Sequence, residues 1–198
     1  MIRQITLGSI DTTVLRKRSG HKFDHGHAMV FSGGAGRTGA ARLAARAALR
    51  VGAGLVTLAV PPSAKMEVSA QISALMVRSV ASSEAAAEVV RDARINALCI
   101  GPGFGMHDDQ LAYVTAVLEA RRPTVLDADA LSLLAKAQNT AQLLHPECVL
   151  TPHGGEFARL FPQLADGLNA NDVEAKARAT SHAAEQCGCV VLFKGEHT

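Results

Sequence analysis

The chain has 198 residues, a length that suits a single α/β domain spanning residues 1–198. An apolar fraction of 48% excludes a disordered chain, and a net charge of +2 with one Tyr and no Trp argues against nucleic-acid binding. The apolar runs are too short to span a membrane, and no signal-peptide segment follows the first residues, so we expect a cytoplasmic protein.

Short apolar runs alternate with longer amphipathic segments along the chain. The apolar runs lack alternating polar residues, as is typical of strands covered on both faces of a parallel sheet. They predict strands over residues 28–31, 55–60, 97–100, 124–126, 148–150 and 189–193. The intervening segments predict helices over residues 39–51, 83–93, 108–121, 130–137, 155–161 and 171–186. Repeated βα units imply a mostly parallel sheet with helices on both faces, so ligands are expected beyond the carboxyl ends of the strands.

A glycine-rich loop follows the first predicted strand. Gly34, Gly36 and Gly39 match the pattern G-x-G-x-x-G between a strand and a helix. A loop without Cβ atoms lets backbone N–H groups approach an anion at the N-terminus of the following helix. The alternative is a tight turn that packs the helix closely against the strand.

Two standard phosphate-binding motifs do not fit this loop. A dinucleotide-binding unit needs an acidic residue at the end of its second strand, whereas the next acid here is Glu67. A P-loop needs Lys followed by Ser or Thr after its last glycine, whereas this chain has Ala40 and Ala41. We therefore expect a phosphorylated, nucleotide-like ligand that approaches the loop by neither standard mode.

Two further groups of residues follow buried strands. Gly101, Gly103 and Gly105 come directly after the strand at 97–100 and suggest ligand contact through the backbone, although glycines also simply end strands. Asp127 ends the next strand, where a carboxylate can meet a substrate hydroxyl or the water shell of a metal ion. Asp129 stands just before a predicted helix and is interpreted as its N-cap.

The last two predicted strands also end in polar residues. Thr151, His153 and Glu156 surround a proline-containing turn, in which His153 could donate to a ligand oxygen and Glu156 could orient hydrated Mg²⁺. A structural role is the alternative for His153. The final strand delivers Lys194 at its carboxyl end, as expected for a lysine directed at a phosphate, the alternative being an ordinary exposed lysine.

The cysteines predict no disulfide framework. Cys99, Cys148, Cys187 and Cys189 contain no C-x-x-C pair and are interpreted as free thiols in a reducing compartment, with a metal or redox pair at Cys187 and Cys189 as the less favoured alternative. A cluster of three His and one Asp within residues 21–27 is interpreted as a solvated loop rather than a metal site.

Taken in series, these motifs resemble the NAD(P)H-hydrate dehydratase family, a branch of the ribokinase-like fold. The resemblance extends from about residue 21 to residue 198 and includes the segments at 39–41, 50–56, 101–105, 126–131, 151–156 and 194–198. It implies a three-layer α/β/α domain whose C-terminal part is missing from this chain. Members of the family use ADP, or ATP in some lineages, to phosphorylate the hydroxyl of hydrated NADH or NADPH, after which phosphate leaves and the ring double bond re-forms.

The resemblance also implies roles for individual residues and for partners. The residues that would contact the hydrate are Ala40, Gly103 and His153, and those that would line the AMP side are Lys194, Gly195, Glu196, His197 and Thr198. Glu156 would help to place Mg²⁺, while the position of Asp127 at a strand end, and not the resemblance, makes it a possible substrate or Mg²⁺ contact. A homo-oligomer, a tetramer by family, and an epimerase domain or protein as functional partner are implied as well.

The chain departs from the family pattern in one consequential way. The Gly-Ser-Gly-Asp segment that supplies the anion hole and the general base is absent and is expected after Thr198, so no catalytic base is expected within this chain. A ribokinase-like kinase of a hydroxymethylpyrimidine or thiazole alcohol and a non-catalytic nucleotide-binding module are the alternatives. A plain dehydrogenase is disfavoured because the acid after the second strand is missing.

Overall fold

An all-parallel sheet organises the chain in this computed structural model, which describes residues 2–16, 19–138, 140–169 and 171–198. Within those residues the strands are β1 (His27–Phe31), β2 (Leu55–Val60), β3 (Met76–Ser79), β4 (Ala97–Ile100), β5 (Thr124–Leu126), β6 (Cys148–Leu150) and β7 (Val190–Val191). Their order across the sheet is β3-β2-β1-β4-β5-β6-β7. The prediction of a mostly parallel sheet is confirmed.

Helices connect the strands. They are α1 (Gly39–Val51), α2 (Lys65–Gln71), α3 (Ser83–Val89), α4 (Asp108–Glu119), α5 (Ala128–Leu134), α6 (Thr140–Leu143), α7 (Gly154–Leu160), α8 (Pro162–Ala165) and α9 (Val173–Cys187). Short 3-10 turns at Leu7–Ser9, Thr12–Leu15 and Lys22–His25 precede β1. In the described ranges, no helix combines the length and the apolarity that a membrane crossing requires.

The two faces of the sheet are covered differently. On one face, Ala41 and Ala45 of α1 and Val68 of α2 pack against β1 and β2. Helices α3, α4, α5, α7 and α9 pack on the opposite face and form a larger apolar core with all the strands except β3. At the β7 edge of the sheet, Val190 and Leu192 remain 53% and 45% exposed.

The strand order changes direction at β1. The chain moves outward from β1 to β2 and β3, and then crosses to the other side of β1 to form β4. The loops after β1 and β4 therefore leave the sheet beside each other, at the topological switch point where open α/β sheets bind ligands. This arrangement brings the two predicted glycine loops together.

The largest errors of the sequence-based prediction concern short elements. β3 and α2 were not predicted, because β3 is a four-residue edge strand whose side chains are mostly exposed. β7 contains two residues instead of the five predicted. α5 begins at Ala128, two residues earlier than predicted.

Candidate functional site

Loops from several strands converge on one edge of the sheet because all the strands are parallel. The loops after β1 and β4 lie side by side, and those after β5, β6 and β7 continue the row in sheet order. Lys194 links the last two of these loops, since its backbone N–H donates to the Pro152 carbonyl oxygen at 2.8 Å. The residues predicted to bind ligand therefore share one edge.

The two glycine loops pack directly against each other. A Cβ atom on Gly33 would overlap the carbonyl oxygen of Gly103, and one on Gly103, which has φ +65, would lie 2.8 Å from the carbonyl oxygen of Arg37. Loop packing therefore explains the absence of a side chain at 33 and 103. A Cβ on Gly36 or Gly39 would meet nothing within 4 Å, so these positions remain open to a ligand.

An acidic residue from α2 holds the first glycine loop. Glu67 accepts hydrogen bonds from the Gly36 backbone N–H at 2.6 Å and from the Thr38 hydroxyl at 2.5 Å. Hydrogen bonds from Thr38 and then Gly36 lower the pKa of Glu67. The Gly36 N–H is thus already used and is not a free donor for phosphate. Sequence reasoning missed this role, because only the folded positions of α2 and the loop bring Glu67 to Gly36.

Replacement of Glu67 by glutamine is expected to remove part of the dependence of stability on pH. Because the pKa of Glu67 is lowered by folding, its stabilisation is present above the ordinary glutamate pKa and is lost as pH falls through the lowered value. The Glu67→Gln chain should therefore be less stable than the parent at neutral pH and converge with it in acid. Thermal melts followed by circular dichroism would measure this, with the exposed Glu88→Gln as a control that should follow the parent curve.

The two aspartates after β5 contact different loops. Asp127 occupies the N-cap position of α5 but makes no capping hydrogen bond. Its Oδ1 instead lies 2.5 Å from the Lys194 Nζ in an ion pair. The prediction that Asp129 is the N-cap is wrong: it lies inside the first turn of α5 and accepts a hydrogen bond from the Gly105 N–H at 2.7 Å. Asp129 therefore fixes the second glycine loop.

Ala128 lies between these aspartates in a left-handed conformation, with φ +47. This conformation costs a residue with a Cβ about 1 kcal/mol, whereas glycine adopts it freely. We expect Ala128→Gly to leave the free energy of unfolding unchanged or to raise it by up to about 0.5 kcal/mol, because the added freedom of the unfolded chain offsets part of the relief. In urea denaturation the helical Ala130→Gly should instead lose about 1 kcal/mol, and equal losses in both variants would contradict the prediction.

His153 and Glu156 form a reciprocal cap at the start of α7. The His153 Nδ1 accepts from the Gly155 N–H at 3.0 Å, so the Nε2 carries the proton and lies 3.2 Å from the Glu156 Oε1. The Glu156 Oε2 accepts from the His153 backbone N–H at 2.8 Å. The His153 side chain is 56% exposed and Glu156 is 6% exposed, so the imidazole faces solvent and the carboxylate lies behind it.

The residues predicted to contact a metal ion have protein partners in this structure. Both Glu156 oxygens face donors of His153, and Asp127 is paired with Lys194. Nowhere in the described ranges do three or more His, Cys, Asp or Glu side chains converge as metal ligands, and this includes residues 21–27. Both Glu156 oxygens are engaged by His153 in this structure, and the role of Glu156 in placing hydrated Mg²⁺ stays a prediction.

The segment after β7 is held by a buried lysine. The Lys176 Nζ donates to the carbonyl oxygen of His197 and lies 4.6 Å from the centroid of the Phe193 ring. Lys176 is only 6% exposed, and burial lowers its pKa. The segment is also closed on itself, because the Gly195 N–H donates to the Thr198 hydroxyl at 3.0 Å. Sequence reasoning missed Lys176, which occupies an ordinary helical position.

The enclosed space near the switch point is small. A cavity of about 60 Å³ lies below the first glycine loop and is bordered by Phe104, Gln110 and Tyr113. It can hold about two water molecules but not a nucleotide. Among the described residues the Gln110 Oε1 has no hydrogen-bond partner, which suits a bound water there. This cavity is therefore too small for a nucleotide-sized ligand.

Comparison with known families and proteins identifies the relatives of this chain. The Carb_kinase family model, described as NAD(P)H-hydrate dehydratase, matches residues 28–198. A bifunctional NAD(P)H-hydrate repair enzyme of Coxiella burnetii is 38% identical over 184 residues, covering 92% of this chain and 36% of that protein. An ATP-dependent (S)-NAD(P)H-hydrate dehydratase of Pongo abelii is 34% identical, covering 89% of this chain and 55% of that protein.

Solved structures agree with this assignment. The ADP/ATP-dependent NAD(P)H-hydrate dehydratase of Bacillus subtilis, co-crystallised with ATP and Mg²⁺, superimposes with a TM-score of 0.67 and is 27% identical, covering 91% of this chain and 61% of that one. A ribokinase-like protein of Enterococcus faecalis superimposes with a TM-score of 0.74 at 20% identity, over 94% of this chain and 65% of that one, and shows the shared fold. The chain spans only about a third to a half of the length of the curated relatives cited.

Proposed function

The chain belongs to the NAD(P)H-hydrate dehydratase family, and from this premise we propose that it binds ADP or ATP together with hydrated NADH or NADPH for the repair of the hydrate. In the proposed reaction the nucleotide phosphorylates the ring hydroxyl, phosphate leaves and the double bond re-forms, so that ADP yields AMP and phosphate. The observation that carries the proposal is the position of Lys194, at a strand end beside the His153 loop and paired with Asp127.

The nucleotide side of the proposed site is built around Lys194. Its side chain is 37% exposed, and the ammonium group has a single carboxylate, that of Asp127, as its ion-pair partner. A phosphate group carries more negative charge than a carboxylate and can replace Asp127 as the partner of the ammonium. Gly195 and Thr198 close the adjacent turn, which Lys176 supports from below, while Glu196 and His197 border it. Asp127, once released, would be free to accept a hydrogen bond from the hydrate hydroxyl.

The hydrate side would be formed by the exposed imidazole of His153, the backbone of Gly103 and the first turn of α1 at Ala40. The Nε2–H of His153 lies 3.2 Å from the Glu156 Oε1, and on ligand binding it would turn from that carboxylate to donate to a ligand oxygen, while the Nδ1 keeps the Gly155 N–H. The N-terminus of the 13-residue helix α1 supplies free backbone N–H groups and a positive helix dipole for a phosphate of the hydrate. Glu156 acts here by orienting His153, and we propose contact with Mg²⁺ only through water.

The proposal is tested by equilibrium binding and turnover in parallel. We expect saturable binding of ADP and of NADPH by calorimetry, with the Bacillus subtilis dehydratase as a positive control. NADH recovery by absorbance from NADH hydrate, ADP and Mg²⁺ then measures turnover. Recovery by this chain would contradict the non-catalytic alternative. Phosphorylation of a hydroxymethylpyrimidine or thiazole alcohol without any effect on NADH hydrate would overturn the proposal in favour of the kinase alternative, which the family match makes weaker.

We also propose that the functional assembly is a homo-oligomer that works with an epimerase domain or protein. The apolar side chains of Val190 and Leu192 are exposed at the edge of the described sheet, where a further strand or a second copy of the chain can cover them. Light scattering as a function of protein concentration would measure it, and a strictly monomeric chain at high concentration would contradict this proposal.

A further inference from the structure

Two cysteines lie side by side where α9 ends and β7 begins. Cys187 is the last residue of α9, Gly188 turns the chain with φ +65, and Cys189 immediately precedes Val190. The two Sγ atoms are 3.2 Å apart, a distance at which one thiol donates a hydrogen bond to the other sulfur. These cysteines belong to neither side of the proposed nucleotide and hydrate site.

The two thiols have unequal surroundings. Cys187 is half-buried, whereas Cys189 is only 8% exposed. The hydrogen bond from Cys189 lowers the pKa of Cys187 to about 7, and the same contact together with burial raises the pKa of Cys189. The C-terminus of α9 disfavours an anion, and the hydrogen bond with the Cys189 thiol, followed by backbone hydrogen bonds, stabilises the Cys187 thiolate against this effect. Cys187 is thus suited to be the thiolate that attacks an oxidant, and Cys189 is suited to be the thiol that then reacts with the oxidised Cys187 to form a disulfide.

The remaining cysteines provide internal comparisons. Cys148 is fully buried on β6, next to β7, and burial raises its pKa. Cys99 packs on the opposite face of the sheet, and burial raises its pKa to about 11. Neither has the thiolate character that peroxide oxidation requires. The reactivity expected of the pair is therefore distinguishable from that of an ordinary cysteine in the same chain.

We propose that Cys187 and Cys189 are a reversible modification site that reacts with hydroperoxides to form an intramolecular disulfide. The Cys187 thiolate attacks the terminal peroxide oxygen, the O–O bond breaks, and the products are a sulfenic acid on Cys187 and, after proton uptake, an alcohol. The Cys189 sulfur then attacks the sulfenic sulfur and water leaves with the Cys189 proton. The two thiols lose two electrons in all and the peroxide gains them. Cysteines two positions apart can be bridged only where the chain turns, and Gly188 supplies that turn.

Peptide mass spectrometry of the full chain tests the proposal directly. Trypsin cleavage after Arg178 and Lys194 releases one peptide, residues 179–194, that contains both cysteines. After brief treatment with hydrogen peroxide and alkylation under denaturing conditions, we expect this peptide to be lighter than the unoxidised peptide by two hydrogen atoms and to resist alkylation. A thiol reductant should restore both alkylation sites. Full alkylation after peroxide, or a cross-link to Cys148, would overturn the proposal.

Single substitutions assign the two roles. Cys189→Ser should leave a sulfenic acid on Cys187 that a dimedone probe captures, whereas Cys187→Ser should leave Cys189 fully alkylatable after the same peroxide exposure. Cys99→Ser is the matched control and should form the disulfide at the parental rate. Circular dichroism tests whether each variant is folded. If a variant is unfolded, the peptide mass spectrometry of the parent chain decides the question. Equal peroxide labelling of Cys187 and Cys99 in the parent chain would contradict the assignment.

Discussion

Replacement of Lys194 by alanine is expected to weaken ADP binding by about 10- to 100-fold, because hydrogen bonds to charged groups contribute about 1.5–3 kcal/mol. The Lys194 ammonium lies three residues beyond the end of β7, and we propose that phosphate displaces its carboxylate partner Asp127. The dissociation constant is measured by calorimetry at low and moderate salt. The effect should shrink as salt is added, since the contact is electrostatic and partly exposed.

Two companion variants separate a phosphate contact from a purely structural ion pair. Asp127→Asn removes the carboxylate that competes for Lys194, so ADP affinity should rise by up to about fivefold, within the usual contribution of a partly exposed ion pair. Lys136→Ala removes an exposed lysine near the other end of α5 and should leave affinity unchanged. If Asp127→Asn and Lys194→Ala weakened ADP binding equally, the pair would be structural and the proposed role of Lys194 would be wrong.

Replacement of Gly33 by alanine is expected to lower the free energy of unfolding by about 3 kcal/mol, at the upper end of the usual cost of overpacking. The new Cβ would overlap the Gly103 carbonyl oxygen, lie 2.9 Å from its carbon and lie 3.3 Å from the Arg37 Cβ. Backbone groups cannot rotate away as a flexible side chain can, so the loops after β1 and β4 must separate. Urea denaturation followed by circular dichroism measures the loss.

The neighbouring Gly34→Ala is the matched control for this experiment. A Cβ at Gly34 would first meet the Ser63 hydroxyl at 3.9 Å, an ordinary contact distance, so the change in stability should stay within about 0.5 kcal/mol. Similar stabilities for the two variants would show that the loops are not in close contact. A large loss of stability in Gly33→Ala alone would show that Gly33 is required for close packing of the two loops, whereas the space beside Gly34 can accept a side chain.

The central strands could be predicted from the sequence because each is a continuous apolar run with both faces buried. Leu55–Val60 and Ala97–Ile100 are examples, and both match the structure residue for residue. β3 could not be predicted in this way, because an exposed edge strand has no apolar run to mark it. The position of the neighbouring helix α2, and with it the contact of Glu67 with Gly36, therefore could not be predicted either.

The placement of the candidate site at the strand ends could be predicted, whereas its pairwise contacts could not. A parallel sheet necessarily puts Asp127, His153 and Lys194 on one edge. Which carboxylate meets which donor depends on where each helix begins. Because α5 begins at Ala128, Asp127 occupies the cap position and Asp129 lies in the first turn, where it accepts a hydrogen bond from the Gly105 N–H. The burial of Lys176 depends on the packing of α9 against β7, which no local pattern marks.

The strand order also determines how the sheet can assemble while the chain is being synthesised. β2 and β3 are added on one side of β1, and β4, β5, β6 and β7 are then added one after another on the other side. Each half of the sheet thus grows outward in the order of translation, which is the order in which a nascent chain becomes available. Lys194 and its loop follow the last of these strands. A nucleotide at the proposed site beside Lys194 would stabilise only chains in which β7 has already paired with β6, so it could not template the earlier steps.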